Sequence, residues 1–155
     1  EDEAAAKASA EKQRDLLAKA FAEARSPRMA MTYNWPRAEV HIYLGQGEAL
    51  LPDLQKSVKA LPEEYDPPYR LAWVLHKLER NRDALGFAQK AAKLAYGPRK
   101  ARVLSLLSDI QAAVGDAGGS KSSLESALEL LEGLPETQRD DKAIAAMRER
   151  VAKAG

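Results

Sequence analysis

Residues 71–94 read LAWVLHKLERNRDALGFAQKAAKL, and the fold follows from how their apolar side chains are spaced. Leu71, Ala72, Leu75 and Leu78 recur at three- and four-residue steps, and Ala84, Leu85, Ala88, Ala91 and Ala92 do so again after the polar break Glu79-Arg80-Asn81-Arg82-Asp83. Spacing of that kind puts one apolar stripe on each of two helices, and the polar break folds them into a helical hairpin. Ala84, Ala88 and Ala91 carry little bulk, so the two backbones can approach closely.

A lone hairpin cannot bury its own apolar face, so the pattern must recur along the chain. It does: Leu44, Leu51 and Ala38 stand 34 residues before Leu78, Leu85 and Ala72. A third copy follows, with Val114-Gly115-Asp116 and Ala127-Leu128 in the matching places at a spacing two residues longer. At this period the chain resembles the tetratricopeptide repeat (TPR) family, whose unit is 34 residues. The resemblance is carried by Leu44-Gly45, Leu71-Ala72 with Ala84 and Ala91, Gly115 with Ala127, and Pro62 closing the first copy. It implies an all-α, right-handed α-solenoid of three hairpins over residues 31–64, 65–98 and 101–134. An N-terminal helix (1–25) and a C-terminal capping helix (137–153) complete a single domain of residues 1–155. Four positions depart from the family pattern: Glu79 where Gly is usual at the turn, Asn81 where an aromatic follows, and Leu50 and Ser120 where Ala is usual.

Composition agrees with one ordinary globular domain: 155 residues, 45% hydrophobic and 30% charged, net charge +1. No run is long and apolar enough to predict membrane insertion. With no cysteine, disulfides, thiol catalysis and cysteine metal sites are excluded, and the redox compartment stays open. The chain begins with Glu1, which suggests a processed protein or an excised domain and leaves room for a targeting segment ahead of it.

Punctuation residues place the elements. Residues 2–25 predict a helix whose apolar stripe, Leu16, Leu17, Ala20, Phe21 and Ala24, docks on the first repeat, while EDEAAAKASA projects with its acids at the positive end of the helix dipole. Ser26-Pro27 is a capped helix start. Pro36 leaves two readings, a helix from Pro27 kinked at Pro36 or a restart capped by Asn34. Asp66 before Pro67-Pro68 predicts a cap for the central repeat. Gly97-Pro98 ends its second helix, with Gly97 left-handed. Gly115, Gly118 and Gly119 predict a loose turn in the third hairpin, and Thr137 or Gln138 begins the last helix.

No catalytic pattern emerges, and no cofactor is expected. Two histidines, His41 and His76, fall at adjacent repeat positions and could be neighbours, with Glu39 as a third ligand, but HxxxH spacing is missing and a metal site is not expected. The serines of the third repeat have no histidine nearby and no G-x-S-x-G elbow. Gly119-Ser120-Lys121-Ser122 lacks the phosphate-loop pattern.

The TPR resemblance implies binding of a protein or peptide in a groove lined by the first helix of each repeat, at its second, fifth, ninth, twelfth and thirteenth positions. These are Thr32, Trp35, Glu39, Ile42 and Tyr43 in the first copy, Asp66, Tyr69, Trp73, His76 and Lys77 in the second, and Arg102, Ser105, Asp109, Ala112 and Ala113 in the third. Both tryptophans fall in the set, although aromatics at helical spacing are also ordinary core residues. From Asp66 to Arg102, nine Lys or Arg face three acids. Arg70, Lys77, Arg99, Lys100 and Arg102 therefore favour an acidic ligand or a C-terminal carboxylate. Nucleic acid is disfavoured because the chain as a whole is nearly neutral. The lysine/asparagine clamp of the chaperone-binding subset is replaced by Trp35, Glu39, Tyr69 and Trp73. The alternative role is structural: self-association into a homo-oligomer, or docking on a neighbouring domain.

TYNWPRAEVHIYLG (32–45), DPPYRLAWVL (66–75) and AYGPRKARVLSLLSDI (95–110) further resemble the TPR segment after the thioredoxin-like domain of some bacterial thioredoxin-family proteins. That resemblance implies a bacterial protein, periplasmic if exported and cytoplasmic otherwise. Any redox chemistry would lie outside this chain, which has no CxxC.

Overall fold

Alanine-lined hairpins stacked side by side build the molecule, whose computed structural model describes residues 2–154. The helices are α1 (Asp2–Ala22), α2 (Pro27–Met31), α3 (Asn34–Tyr43), α4 (Leu51–Ala60), α5 (Asp66–Lys77), α6 (Asn81–Leu94), α7 (Gly97–Ala113), α8 (Ala117–Glu132) and α9 (Asp141–Lys153). Short 3-10 turns at Gly47–Leu50 and Glu136–Gln138 precede α4 and α9, and no strand occurs among the described residues. Each of the pairs α5/α6 and α7/α8 packs as a hairpin, while α3, α5 and α7 touch in succession. The first helices of successive hairpins thus form one layer. Helix α1 lies against α3 at one end, and α9 against α8 at the other.

The repeat is written into the backbone as well as the side chains. Gly45 (φ 69°), Glu79 (φ 60°) and Gly115 (φ 88°) occupy the same left-handed position after α3, α5 and α7. In each turn the following amide donates to the carbonyl five residues back: Gln46 to His41 (2.7 Å), Arg80 to Leu75 (2.9 Å) and Asp116 to Gln111 (2.9 Å). This is the Schellman helix ending, and it turns the chain abruptly into the second helix. Glu79, a departure from the family pattern in sequence, adopts the backbone conformation of the glycines it replaces.

Ala38, Ala72, Ala84, Ala88, Ala91 and Ala127 are fully inaccessible to solvent. Because they end at Cβ, the helices close to backbone range, and a larger side chain would cost about 1–3 kcal/mol in overpacking. The third hairpin solves the same contact with polar groups. Ser108 and Ser120 stand where the central hairpin has Ala72 and Ala84, and their hydroxyls hydrogen-bond to each other at 2.8 Å. Gln111 and Ser123 stand where Leu75 and Phe87 do, with Ser123 Oγ donating to Gln111 Oε1 at 2.7 Å. Ser120 is buried, and its hydroxyl is satisfied.

Several local expectations are corrected. Asn34 does not cap α3. It is the first helical residue, its side chain is buried, and Nδ2 donates to Ser57 Oγ at 3.1 Å. The chain restarts there rather than kinking, with Pro36 in the first turn where no backbone hydrogen bond is lost. Asp66 does not cap α5, because its carboxylate is drawn to Arg70 one turn on (2.8 Å). The turn before α8 is tight: Gly118 and Gly119 are helical, and Asp116 Oδ1 caps them through the Gly119 amide (2.9 Å). Helix α9 starts at Asp141, four residues later than expected from Thr137, because Asp140 accepts from the amides of Lys142 and Ala143. The docked stripe is Ala10, Arg14, Leu17, Ala20 and Phe21 of α1, with Ala24 just beyond its end. Leu16, rotated roughly 100° from Leu17, is 70% exposed. The Ser26 cap and the left-handed Gly97 are found as expected.

Candidate functional site

Tyr69, Trp73, His76 and Lys77 share one face of α5, since helical residues three, four and seven apart project together. Arg102, Ser105 and Asp109 do so on α7 at the same rhythm. Between these two faces and α9 lies a cavity of about 510 Å³, within the usual range for ligand clefts. Tyr69, Trp73, His76, Lys77 and Arg102 line it together. Its far side comes from Leu131, Leu134, Ala143 and Met147.

Beside the cavity the aromatic groups form a continuous ladder across two hairpins. Trp35 of α3 meets Trp73 of α5 edge to face, centroids 4.9 Å apart and planes at 66°. The Arg70 guanidinium lies 4.4 Å from the Trp35 ring centre and 4.8 Å from that of Tyr69. Lys77 Nζ lies 5.7 Å from Trp73, within the range of a cation–π contact. Each of Trp35, Tyr69 and Trp73 is half-buried, and Tyr69 and Trp73 pack against the core. For Tyr69 and Trp73, packing against the core and lining the cavity are therefore not exclusive.

The charges sort into paired and unpaired. Asp66 holds Arg70 through Nη2 (2.8 Å) and Nε (2.9 Å). Burial raises the Asp66 carboxyl above its ordinary range, with Arg70 pulling the other way. Burial likewise raises the Tyr69 phenol. Arg150 reaches from α9 to Asp109 (2.6 Å) and to Ser105 Oγ. Lys77 and Arg102 make no ion pair among the described residues; Asp140, also in the lining, accepts only from backbone amides, so with Asp109 paired to Arg150 the cavity keeps one more cation than anion. His76 is fixed by Asn81, Nδ1 to Oδ1 at 2.6 Å.

The remaining predicted residues lie elsewhere. Glu39 and Tyr43 are exposed on α3, Tyr43 at 59%, and neither lines this cavity. Ile42 is half-buried and folds over Gly47, where a Cβ would come within 2.7 Å of its Cδ1. Trp35 and Arg70 stand behind Trp73 and Tyr69 rather than in the lining. His41 is buried and bonded to the Arg37 carbonyl (2.8 Å), apart from His76 in its partners. Among the described residues no cluster of three metal-type ligands occurs. The repeat pattern does not point to Met147, Ala143 and Arg150, because α9 has no repeat counterpart from which to infer its facing side. A larger, more open depression of about 1040 Å³ lies between α6, α7 and α8, but it carries no aromatic side chain and none of the predicted groove positions.

Among solved structures, the chain is similar to one described as "MamA RS-1 ArsTM double mutant". The TM-score is 0.54 and the identity 18%, over 94% of this chain and 93% of that one. No family model matches the chain, and no curated protein matches its sequence. The shared feature is the fold, a TPR-type helical solenoid.

Proposed function

We propose that this protein is a non-catalytic interaction module that holds an acidic peptide segment, or a C-terminal carboxylate, in the cavity between α5, α7 and α9. The observation that carries this reading is the pairing of an aromatic wall, Tyr69 and Trp73, with two cations lacking ion-pair partners, Lys77 and Arg102, around one cavity. Aromatic side chains half-packed against the core are rigid anchors for a partner's apolar groups. The cations supply charge-assisted hydrogen bonds to carboxylates. Asp109 does not offset them, since Arg150 already balances it, and Asp140, which accepts from two amides as the α9 cap, offsets only one of the two.

Selection from an octapeptide display library with free C-termini tests the reading, with the wild type compared against a folded Trp73→Ala variant. Enrichment of acidic sequences by the wild type is expected, with affinity falling about 30-fold in the variant. Equal enrichment by both proteins, or none by the wild type, refutes it. A second reading, self-association or docking on a neighbouring domain, draws on α1. Its residues 2–9 are all exposed, and Leu16 faces outward. A stable homodimer in light scattering, with no peptide selected, supports that reading instead.

A further inference from the structure

Arg70 is the most enclosed cation near the groove, its side chain only 17% exposed. Its position suits stacking better than ligand capture. One guanidinium serves two rings from different helices, Trp35 on α3 and Tyr69 on α5, at 4.4 and 4.8 Å from their centres. Both of its bonds to Asp66 go to the same carboxylate oxygen, Oδ2, at 2.8 and 2.9 Å. The charge is balanced, and the guanidinium carbon is held over both rings. Trp35, pinned by Arg70, in turn meets the Trp73 ring at 4.9 Å.

We propose that Arg70 is a positioning residue, a planar clamp balanced by Asp66 that fixes Trp35, Tyr69 and Trp73 as the rigid wall of the groove and sets its affinity without touching the bound peptide. This rests on the groove reading above. A lysine cannot replace it, because an ammonium is a point charge that does not present two flat faces to two rings. Rigidity matters because ordering loose side chains on binding costs affinity.

The chain contains only two tryptophans, Trp35 and Trp73, so every indole signal reports on this wall. The experiment compares wild type with Arg70→Met, Arg70→Lys and Asp66→Asn. Near-ultraviolet circular dichroism and acrylamide quenching are read without peptide. Affinity is then measured for the tightest octapeptide selected by the wild type. Expected are loss of the coupled indole band and increased quenching in both Arg70 variants while the far-ultraviolet spectrum is retained, with affinity about tenfold weaker. Asp66→Asn is the discriminating variant. If Arg70 positions the wall, loosening its anchor weakens binding; if Arg70 grips the peptide directly, freeing its charge strengthens binding and overturns the proposal. Unchanged indole signals in Arg70→Met, or signals restored by Arg70→Lys, overturn it as well. The spectra need no peptide, so a wild type that selects none refutes the groove reading separately from the clamp.

Discussion

Replacing Glu79 by glycine should stabilise the protein. Glu79 sits at φ 60° in the turn where the flanking repeats have Gly45 and Gly115. A side chain in that left-handed region costs roughly 1–2 kcal/mol through contact of Cβ with the following carbonyl. Glycine removes that cost but adds freedom to the unfolded chain, which returns about 0.5–1 kcal/mol. Nothing else is lost: Glu79 is exposed and makes no ion pair among the described residues, and its backbone hydrogen bond to His76 (3.0 Å) is available to any residue. The net gain is therefore about 0.5–1 kcal/mol, or a rise in Tm of about 1–4 °C for a chain of this length. Urea unfolding of Glu79→Gly, with Gly115→Ala as the converse, measures it. The midpoint should rise in the first and fall in the second by about 1 kcal/mol or more, with the slope unchanged. A Glu79→Gly variant no more stable than wild type would show that the repeat turns are not equivalent in energy, whatever their dihedral angles.

Three further outcomes are expected. Gly119→Ala should destabilise by about 1–2 kcal/mol, because its Cβ would collide with Asp116 Oδ2 and approach Gln111 Nε2 to 2.5 Å, breaking the α8 cap; unchanged thermal unfolding would refute this. Burial holds the His41 imidazole below its ordinary value of 6.5, against the hydrogen bond that its Nδ1–H donates to the Arg37 carbonyl. Its contribution is thus present above pH 6.5 and lost as pH falls through the lowered value. A stability-against-pH curve should flatten in that window for His41→Leu, the residue found at the matching Leu75, and an unaltered curve would count against it. Arg150→Ala should free Asp109 and weaken selection of acidic octapeptides while leaving Trp73 quenching unchanged; stronger acidic selection would show that Arg150 competes with the peptide instead.

Side-chain spacing alone determined the helices, their pairing and the 34-residue period. These are local: an apolar stripe at three- and four-residue steps, small residues at a crossing and a left-handed turn each act within one hairpin. The first-helix layer was implied by the TPR resemblance, whose repeat positions put Tyr69, Trp73, His76, Lys77 and Arg102 on one surface. Tertiary structure decided what depends on elements without a repeat counterpart. It set α9 as the far wall of the groove, tied Asp109 to Arg150, and rotated Leu16 of α1 away from the array. It also divided the aromatics and cations by role, Trp73 and Lys77 at the cavity and Trp35 and Arg70 behind it. Repeat arithmetic assigns a residue to a face, but which atoms on that face reach solvent depends on the neighbouring helix, whose side chains compete for the same space.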